Sequence, residues 1–166
     1  MAEEMIIEVD KDDKMIGLMP RSEAHRGERF HRASHLLLLN PPAQILLQKR
    51  ASIKRWYPGM WSFSVDETVG NESYRTCMER GVLEELRVTN IRLYELFKYF
   101  TSDSGKDTAW RTIFMGITHQ REFPFNKEEI EELKWFYQDE LKRDMVQNQK
   151  NYAPYLITGL KRFFSL

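Results

Sequence analysis

The sequence DETVGNESYRTCMERGVLEELRV at residues 66–88 is typical of a short polar loop that leads into a helix. Ser73 favours a helix start because its hydroxyl can accept a hydrogen bond from an unpaired amide, and the Glu72 carboxylate suits the positive end of the helix dipole. Apolar residues then recur at steps of four: Tyr74, Met78, Val82 and Leu86. This spacing predicts a helix that buries one stripe and runs to about Leu86.

The other side of this predicted helix carries charged residues. Arg80, Glu84 and Glu85 lie there, beside the polar loop. Mg²⁺ prefers oxygen ligands and is usually held by one or two carboxylates together with substrate phosphates. Glu84 and Glu85 are therefore candidate ligands of a hard cation, although a solvated acidic helix face is the commoner source of such a pattern.

Strand signals surround the helix. The runs MIIEV and MIGLM flank a charged turn and predict a β-hairpin. The run LLLL at 36–39 lacks polar alternation, which predicts a strand buried on both faces and a sheet covered by helices on both sides. The predicted strands are 5–9, 15–19, 36–39, 45–48, 91–100, 110–118 and 134–138. A short acidic helix start is expected near Asn126, another helix after residue 138, and an amphipathic helix at 151–164.

Composition bounds the class of protein. The chain has 166 residues, of which 42% are hydrophobic and 30% charged, as expected for one soluble globular domain over 1–166. A formal net charge of zero argues against a nucleic-acid partner. A single cysteine, Cys77, the lack of a long apolar run and the lack of a signal-peptide pattern predict a cytoplasmic protein without a membrane partner. The sequence does not indicate an oligomeric state.

Two further polar clusters are candidates for function. Three histidines, His25, His31 and His35, could bind a metal. No cysteine or second histidine cluster completes a zinc set, so a loop with ordinary surface histidines is the favoured interpretation.

Cations and aromatic residues are interleaved at 49–61. The candidate substrate-binding residues there are Arg50, Lys54, Arg55, Trp56 and Trp61. The cations could meet a phosphate, and the indole rings could stack on a base or another planar group. The equally open alternative is that the aromatic rings pack against the sheet edge and the cations are solvated.

The stretch 66–88 resembles the Nudix box, G-x5-E-x7-R-E-U-x-E-E-x-G-U, in which U is a bulky apolar residue. The matching residues are Glu72, Arg80, Val82, Glu84, Glu85 and Val88. Three specified positions differ: the first glycine is Asp66, the second glutamate is Gly81 and the last glycine is Arg87. The flanking segments resemble the isopentenyl diphosphate isomerase-like branch of the Nudix superfamily, so the likeness covers almost the whole chain. The resemblance implies an α/β/α sandwich around a mixed sheet, in which the box holds Mg²⁺ or Mn²⁺.

The resemblance also implies an activity, which is metal-assisted attack of water on a small-molecule diphosphate, most simply a nucleoside-diphosphate-like substrate. By the same resemblance, Glu84 and Glu85 are metal ligands and catalytic residues. Arg80 would pair with Glu72 and so fix the loop on the helix.

Gly81 leaves two accounts of this site open, because the family has a ligand or general base at that position. In the first, Asp66 or Glu67 refills the metal shell, and Asp103 or Asp107 from the 101–108 loop serves as base, although aspartates in such a loop are normally turn residues. In the second, the site is inactive and the fold binds a nucleotide or a protein partner.

Isomerase activity is not expected. The isomerase-like branch uses a catalytic cysteine, a nearby histidine and a later pair of glutamates. By resemblance these positions fall at Asp66, at Thr68, and near Ala109 and Arg111. The side chains that isomerisation requires are therefore missing.

Overall fold

A mixed nine-stranded sheet with helices on both faces accounts for most of the described chain, residues 2–26, 29–103 and 106–166, in this computed structural model. The strands are β1 (Met5–Val9), β2 (Met15–Pro20), β3 (Phe30–Asn40), β4 (Gln44–Arg50), β5 (Trp61–Ser62), β6 (Val65–Thr68), β7 (Tyr94–Asp103), β8 (Asp107–Ile117) and β9 (Ile130–Phe136). The helices are α1 (Tyr74–Gly81), continued by a π-helical segment (Val82–Leu86), α2 (Gln138–Gln147) and α3 (Pro154–Phe163). Short 3-10 turns lie at Arg21–Glu23 and Gln149–Asn151.

Strand β3 lies at the centre of the sheet. It pairs antiparallel with β1, β4 and β6 and parallel with β8. Leu36 and Leu38 pack with Met78 on one face, whereas Leu37 packs with Leu156 on the other. The expected burial of this leucine run on both faces, and with it the α/β/α sandwich around a mixed sheet, is confirmed.

The first two strands form the predicted hairpin, in which Met5 pairs with Pro20 and Glu8 with Gly17. The turn between β3 and β4 contains a cis peptide at Pro41–Pro42. None of the helices in the described ranges is long and apolar enough to cross a bilayer.

Two local expectations are wrong. His31 and His35 are buried on β3 and do not lie in a surface loop, because the parallel ladder with β8 extends back to the pair His31 and Ala109. The acidic segment after Asn126 forms a turn and no helix: the Asn126 side chain accepts the Glu128 amide at 3.1 Å, and β9 then begins at Ile130.

Helix α1 begins as predicted, since Ser73 Oγ accepts the Thr76 amide at 3.1 Å. The predicted stripe is buried at Met78, Val82 and Leu86. The helix does not stay α-helical to Leu86: the wider π segment starts at Val82. Arg87 then ends the helix with a φ of 59°, a left-handed conformation that glycine adopts more easily.

Helix α3 lies so close to the sheet that Gly159 has no room for a side chain. An added Cβ would lie 2.7 Å from both the ring atom Phe63 Cζ and the hydroxyl oxygen Tyr99 Oη, which belong to buried core residues. We expect Gly159→Ala to lower the free energy of unfolding by about 1–3 kcal/mol, because overpacking forces neighbouring groups apart. Denaturant unfolding followed by circular dichroism measures this change.

Gly17→Ala is the matched control, since no atom lies within 4 Å of a Cβ added at Gly17. We expect its unfolding free energy to stay within about 0.5 kcal/mol of wild type. Equal effects of the two substitutions would show that α3 does not pack this tightly.

Candidate active site

An open cavity of about 960 Å³ lies beside the central strand. It is lined by residues of β3, β4, β6, β8, the α1–π helix and the 51–57 loop. The predicted site residues that line it are Arg50, Lys54, Arg55, Trp56, Asp66, Glu67, Arg80, Glu84 and Glu85. Glu72 and Trp61 are not among the lining residues.

Asp66 of β6 joins several elements at the floor of the cavity. Its Oδ2 accepts hydrogen bonds from Arg50 at 2.9 Å, from Ser62 at 2.6 Å and from the Tyr155 hydroxyl. His35 Nδ1 lies 2.5 Å from the other oxygen, Oδ1. Burial alone would raise the pKa of the Asp66 carboxyl, but His35, Arg50 and Ser62 together hold this pKa well below its usual range. Both oxygens of this carboxylate are therefore engaged by protein groups.

A second buried network fixes the orientation of the His35 ring. Arg111 Nη1 donates to His35 Nε2 at 3.0 Å, and burial lowers the pKa of His35. The neutral ring consequently carries its proton on Nδ1, which faces Asp66. Arg111 also donates to Asp107 Oδ2 at 2.5 Å, and its guanidinium lies 4.3 Å from the centre of the Tyr155 ring.

His25, His31 and Asp107 line the same cavity; the sequence offered Asp107 as a candidate base and favoured a surface loop for the two histidines. Asp107 Oδ1 lies 3.5 Å from His31 Nε2 and 3.7 Å from His25 Nδ1. Burial lowers the pKa of His31 to about 3, so this ring is neutral near pH 7. The His25 ring lies 4.6 Å from the Trp56 ring.

A signal for these residues was present in the sequence. His31, Ala33 and His35 are spaced by two, and such residues share one face of a strand. Asp107 was expected in a turn, but it is buried at the first residue of β8. The strand face was missed because the polar residues before Leu36 resemble a loop.

Glu85 was expected on the charged outer face, but only 3% of it is exposed. Gln48 Nε2 donates to its Oε2 at 2.7 Å, and the Asp66 amide donates to its Oε1 at 3.3 Å. Burial, reinforced by the negative charges of Glu67 and Asp66, raises the pKa of Glu85 well above its usual value. The π segment that carries Glu85 thus directs a carboxylate into an already acidic part of the cavity.

Arg80 links the loop to the helix. Its Nη2 lies 2.7 Å from Glu72 Oε1, which is the pairing that the box resemblance implied. Its Nη1 contacts the half-exposed Glu84 at 3.0 Å and Glu67 at 3.5 Å. One guanidinium therefore contacts three carboxylates.

Glu67 lies against the helix at the position where the box resemblance lacks its glutamate. A Cβ added to Gly81 would lie 2.5 Å from Glu67 Cγ and 3.0 Å from Val65 Cγ1. Burial raises the pKa of Glu67 to about 7; Arg80 opposes this rise and Glu84 adds to it.

Carboxylate oxygens are the donors that could hold a metal ion here. Glu67, Glu84 and Glu85 form a hard donor set, which suits Mg²⁺ or Mn²⁺. Among the described residues, no three His, Cys, Asp or Glu side chains are close enough to form a complete metal site. Mg²⁺ commonly keeps waters and uses substrate phosphates as ligands, so this donor set fits an ion that binds together with a phosphorylated substrate.

The predicted cations line the same cavity. Arg50 Nε also donates to the Trp56 carbonyl at 3.0 Å, and Lys54 contacts Glu129. The Arg55 guanidinium lies 5.4 Å from the centre of the Trp56 ring. The cavity thus combines acidic residues of β6 and the helix with basic residues of β4 and the following loop.

Trp61 differs from its predicted neighbours. Its ring packs edge to face on Phe136 with ring centres 5.1 Å apart, and its backbone forms a bridge with Tyr152. For this tryptophan the structure agrees with the alternative of packing in the sheet.

The fold and the box helix define the class of the protein. The NUDIX domain family matches residues 29–156, and the chain belongs to this family. A prenyl-diphosphate phosphatase of Methanosarcina mazei is 38% identical over 163 residues, which cover 96% of this chain and 95% of that protein. Family membership and this likeness make the chain a Nudix hydrolase.

Two other proteins show how far the similarity extends. An isopentenyl-diphosphate Delta-isomerase of Haloarcula marismortui is 29% identical over 171 residues, which cover 97% of this chain and 91% of that protein. The crystal structure of DR0079 from Deinococcus radiodurans superposes with a TM-score of 0.84 at 21% identity and covers 96% of this chain and 98% of its own. The likeness to DR0079 concerns the fold alone.

The contacts of Asp66 lead to a stability prediction. We expect Asp66→Asn to lower the free energy of unfolding by about 3 kcal/mol, because it removes the charge that balances the buried Arg50. Equilibrium denaturation at pH 7 measures the loss.

Asp12→Asn is the control, since Asp12 forms an exposed ion pair with Lys11. Such pairs contribute little, and we expect a change below about 1 kcal/mol. A similarly small change for Asp66→Asn would contradict the role of Asp66 as the organising carboxylate of the cavity floor.

Proposed function

We propose that this protein is a divalent-metal-dependent hydrolase that cleaves the diphosphate linkage of prenyl diphosphates. The observation that carries the proposal is the mixed charge of the cavity, which Glu84 and Glu85 line together with Arg50 and Lys54. A diphosphate needs both kinds of residue. Carboxylates can hold a metal ion that neutralises part of its negative charge, and fixed cations can neutralise the rest.

Each group then has a role in the reaction. Glu84, Glu85 and Glu67 would hold a divalent ion, which would supply charge neutralisation and activation of water. Arg50, Lys54 and Arg55 bind and orient the phosphates. The catalytic contribution of Arg80 and Glu72 is indirect, because their ion pair holds the loop on the helix.

Asp66 acts as a positioning residue in this scheme. Its oxygens are engaged by Arg50, His35, Ser62 and Tyr155, and its amide holds Glu85. It therefore orients one cation for the phosphate and one carboxylate for the metal.

The likeness to the phosphatase of Methanosarcina mazei favours a prenyl substrate over the nucleoside-diphosphate-like substrate that the box resemblance suggested. The cavity also offers apolar surface beside the charges: Ile53 is 77% exposed and lines the cavity together with Trp56. A prenyl chain would bury such surface at roughly 25 cal/mol per Å². A nucleoside diphosphate is the second candidate, since a base could stack on Trp56.

Phosphate release separates these substrates. The panel contains geranyl, dimethylallyl and isopentenyl diphosphate together with ADP, ADP-ribose and other nucleoside diphosphate derivatives, each assayed with Mg²⁺, with Mn²⁺ and with a chelator. We expect turnover of the prenyl compounds that the chelator abolishes, and no isomerisation of isopentenyl diphosphate. If only the nucleotides are turned over, the substrate is a nucleoside diphosphate derivative and the proposal of a prenyl diphosphate is wrong. Binding without turnover in the whole panel would favour a non-catalytic module that binds a nucleotide or a protein partner.

Glu85→Gln tests the metal side of the cavity. We expect kcat/KM for geranyl diphosphate to fall by about 100-fold or more, because a ligand carboxylate becomes an amide of the same shape. Steady-state kinetics measure this fall, and Mn²⁺ titration by calorimetry measures the parallel loss of metal affinity.

Glu79→Gln is the matched control on the same helix, since Glu79 is exposed and does not line the cavity. It should keep kcat/KM within about twofold of wild type, as expected for a surface substitution. If Glu85→Gln behaves like this control, Glu85 does not serve the reaction.

A further inference from the structure

We propose that Glu67 of β6 supplies the carboxylate that the helix lacks at position 81, and that Gly81 is required so that the Glu67 side chain can lie there. The ligand has moved from helix to strand, and the two positions cannot both carry a long side chain. This inference rests on the proposed function, because it names a residue for the same metal-dependent hydrolysis.

The first observation is that the Glu67 side chain fills the space in which a side chain at position 81 would lie. A Cβ at this position would lie 2.5 Å from Glu67 Cγ, 3.4 Å from Glu67 Cδ and 3.0 Å from Val65 Cγ1. The closest atom lies midway along the Glu67 side chain, so a small shift of the carboxylate tip would not relieve the contact. Even alanine at position 81 must displace Glu67 from the helix.

The second observation is that the backbone of β6 has no freedom to move away. Glu67 pairs with Ser34 of the central strand β3, and the neighbouring residue Thr68 pairs with Ala33. Val65, on the same strand, is fully buried. A side chain at position 81 would therefore have to rotate Glu67 out of its site, because the strand cannot withdraw.

The third observation is the charge around Arg80. Its guanidinium lies 2.7 Å from Glu72 and 3.0 Å from Glu84, so it is already paired before Glu67 is counted at 3.5 Å. A third carboxylate at the same guanidinium, with Glu85 also lining the cavity, leaves negative charge that Arg80 alone does not balance. A divalent cation bound between these carboxylates would offset their repulsion, which the ion pairs of Arg80 do only in part.

The test is a cycle of substitutions at the two positions. Glu67→Ala removes the strand carboxylate, Gly81→Glu restores the helix carboxylate of the box, and the double variant Glu67→Ala/Gly81→Glu exchanges one for the other. Each variant is measured by Mn²⁺ titration without substrate, by thermal unfolding, and by phosphate release from geranyl diphosphate.

We expect either single substitution to weaken Mn²⁺ binding and to lower kcat/KM by about tenfold or more. Glu67→Ala lacks the ligand, and Gly81→Glu drives the ligand out and lowers the melting temperature. The double variant should recover at least about tenfold in Mn²⁺ affinity over Gly81→Glu and should melt at a higher temperature than Gly81→Glu, because removal of the Glu67 Cγ removes the closest contact at position 81.

Two variants separate steric from charge effects. Glu67→Gln keeps the shape of the side chain and should fold normally, so its Mn²⁺ affinity decides whether the carboxylate matters. Gly81→Ala adds no charge, but we expect it to weaken Mn²⁺ binding when Glu67 is present and to have little further effect on Mn²⁺ binding in the Glu67→Ala background, where only the 3.0 Å contact with Val65 Cγ1 remains.

The outcomes distinguish this inference from the proposed function. If Glu67→Gln keeps wild-type Mn²⁺ affinity and kcat/KM while Glu85→Gln loses both, Glu67 does not replace the carboxylate missing at position 81. The hydrolase proposal stands in that case. A folded double variant that stays as weak as the single variants also overturns the inference about Glu67. If wild type neither binds Mn²⁺ nor releases phosphate from any substrate of the panel, the proposed function fails and the exchange of ligands fails with it.

Discussion

The site depends on one buried carboxylate, that of Asp66. It ties β6 to Arg50 of β4, to His35 of β3 and to Tyr155 of the last helix, so four elements meet at a single charged group. A buried charge is tolerated only when it is paired and hydrogen-bonded. The residues that pair with the Asp66 carboxylate therefore form the floor of the cavity. The backbone amide of Asp66 also donates a hydrogen bond to Glu85.

Above this floor the cavity holds more carboxylates than its local guanidinium can balance. Glu67 and Glu85 are both largely buried, and burial raises the pKa of each; the charge of Glu84 adds to the rise at Glu67, and the charge of Glu67 adds to the rise at Glu85. Arg80 contacts Glu67, Glu72 and Glu84 at once. Such an arrangement is costly in a protein that binds nothing, and it suits one that takes up a cation with an anionic substrate. Burial beside other carboxylates thus raises the pKa of Glu67 and Glu85, and the same group of carboxylates is the basis of the proposed chemistry.

Much of the architecture could be predicted because its signals are local. The four-residue spacing from Tyr74 to Leu86 marked the buried stripe, and the leucine run of β3 marked a strand covered on both faces. The cavity was harder to predict. The histidines of β3 resembled a surface loop and Asp107 resembled a turn residue, because only the pairing of β3 with β8 buries them together. Glu85 was also placed wrongly: the sequence put it on the charged outer face, whereas it is buried together with Val82 and Leu86 in the π segment.

By itself, the sequence determined the layered α/β fold, the start of the box helix and the set of charged residues from which a site could be built. Periodicity and helix capping depend on residues within a few positions of one another, so these features can be predicted from the sequence alone. Only the tertiary structure decided which carboxylate covers Gly81, that Trp61 packs on Phe136 away from the cavity, and that Asp66 serves as a structural anchor. These outcomes depend on distances between segments that are far apart in the chain, and the sheet register sets those distances.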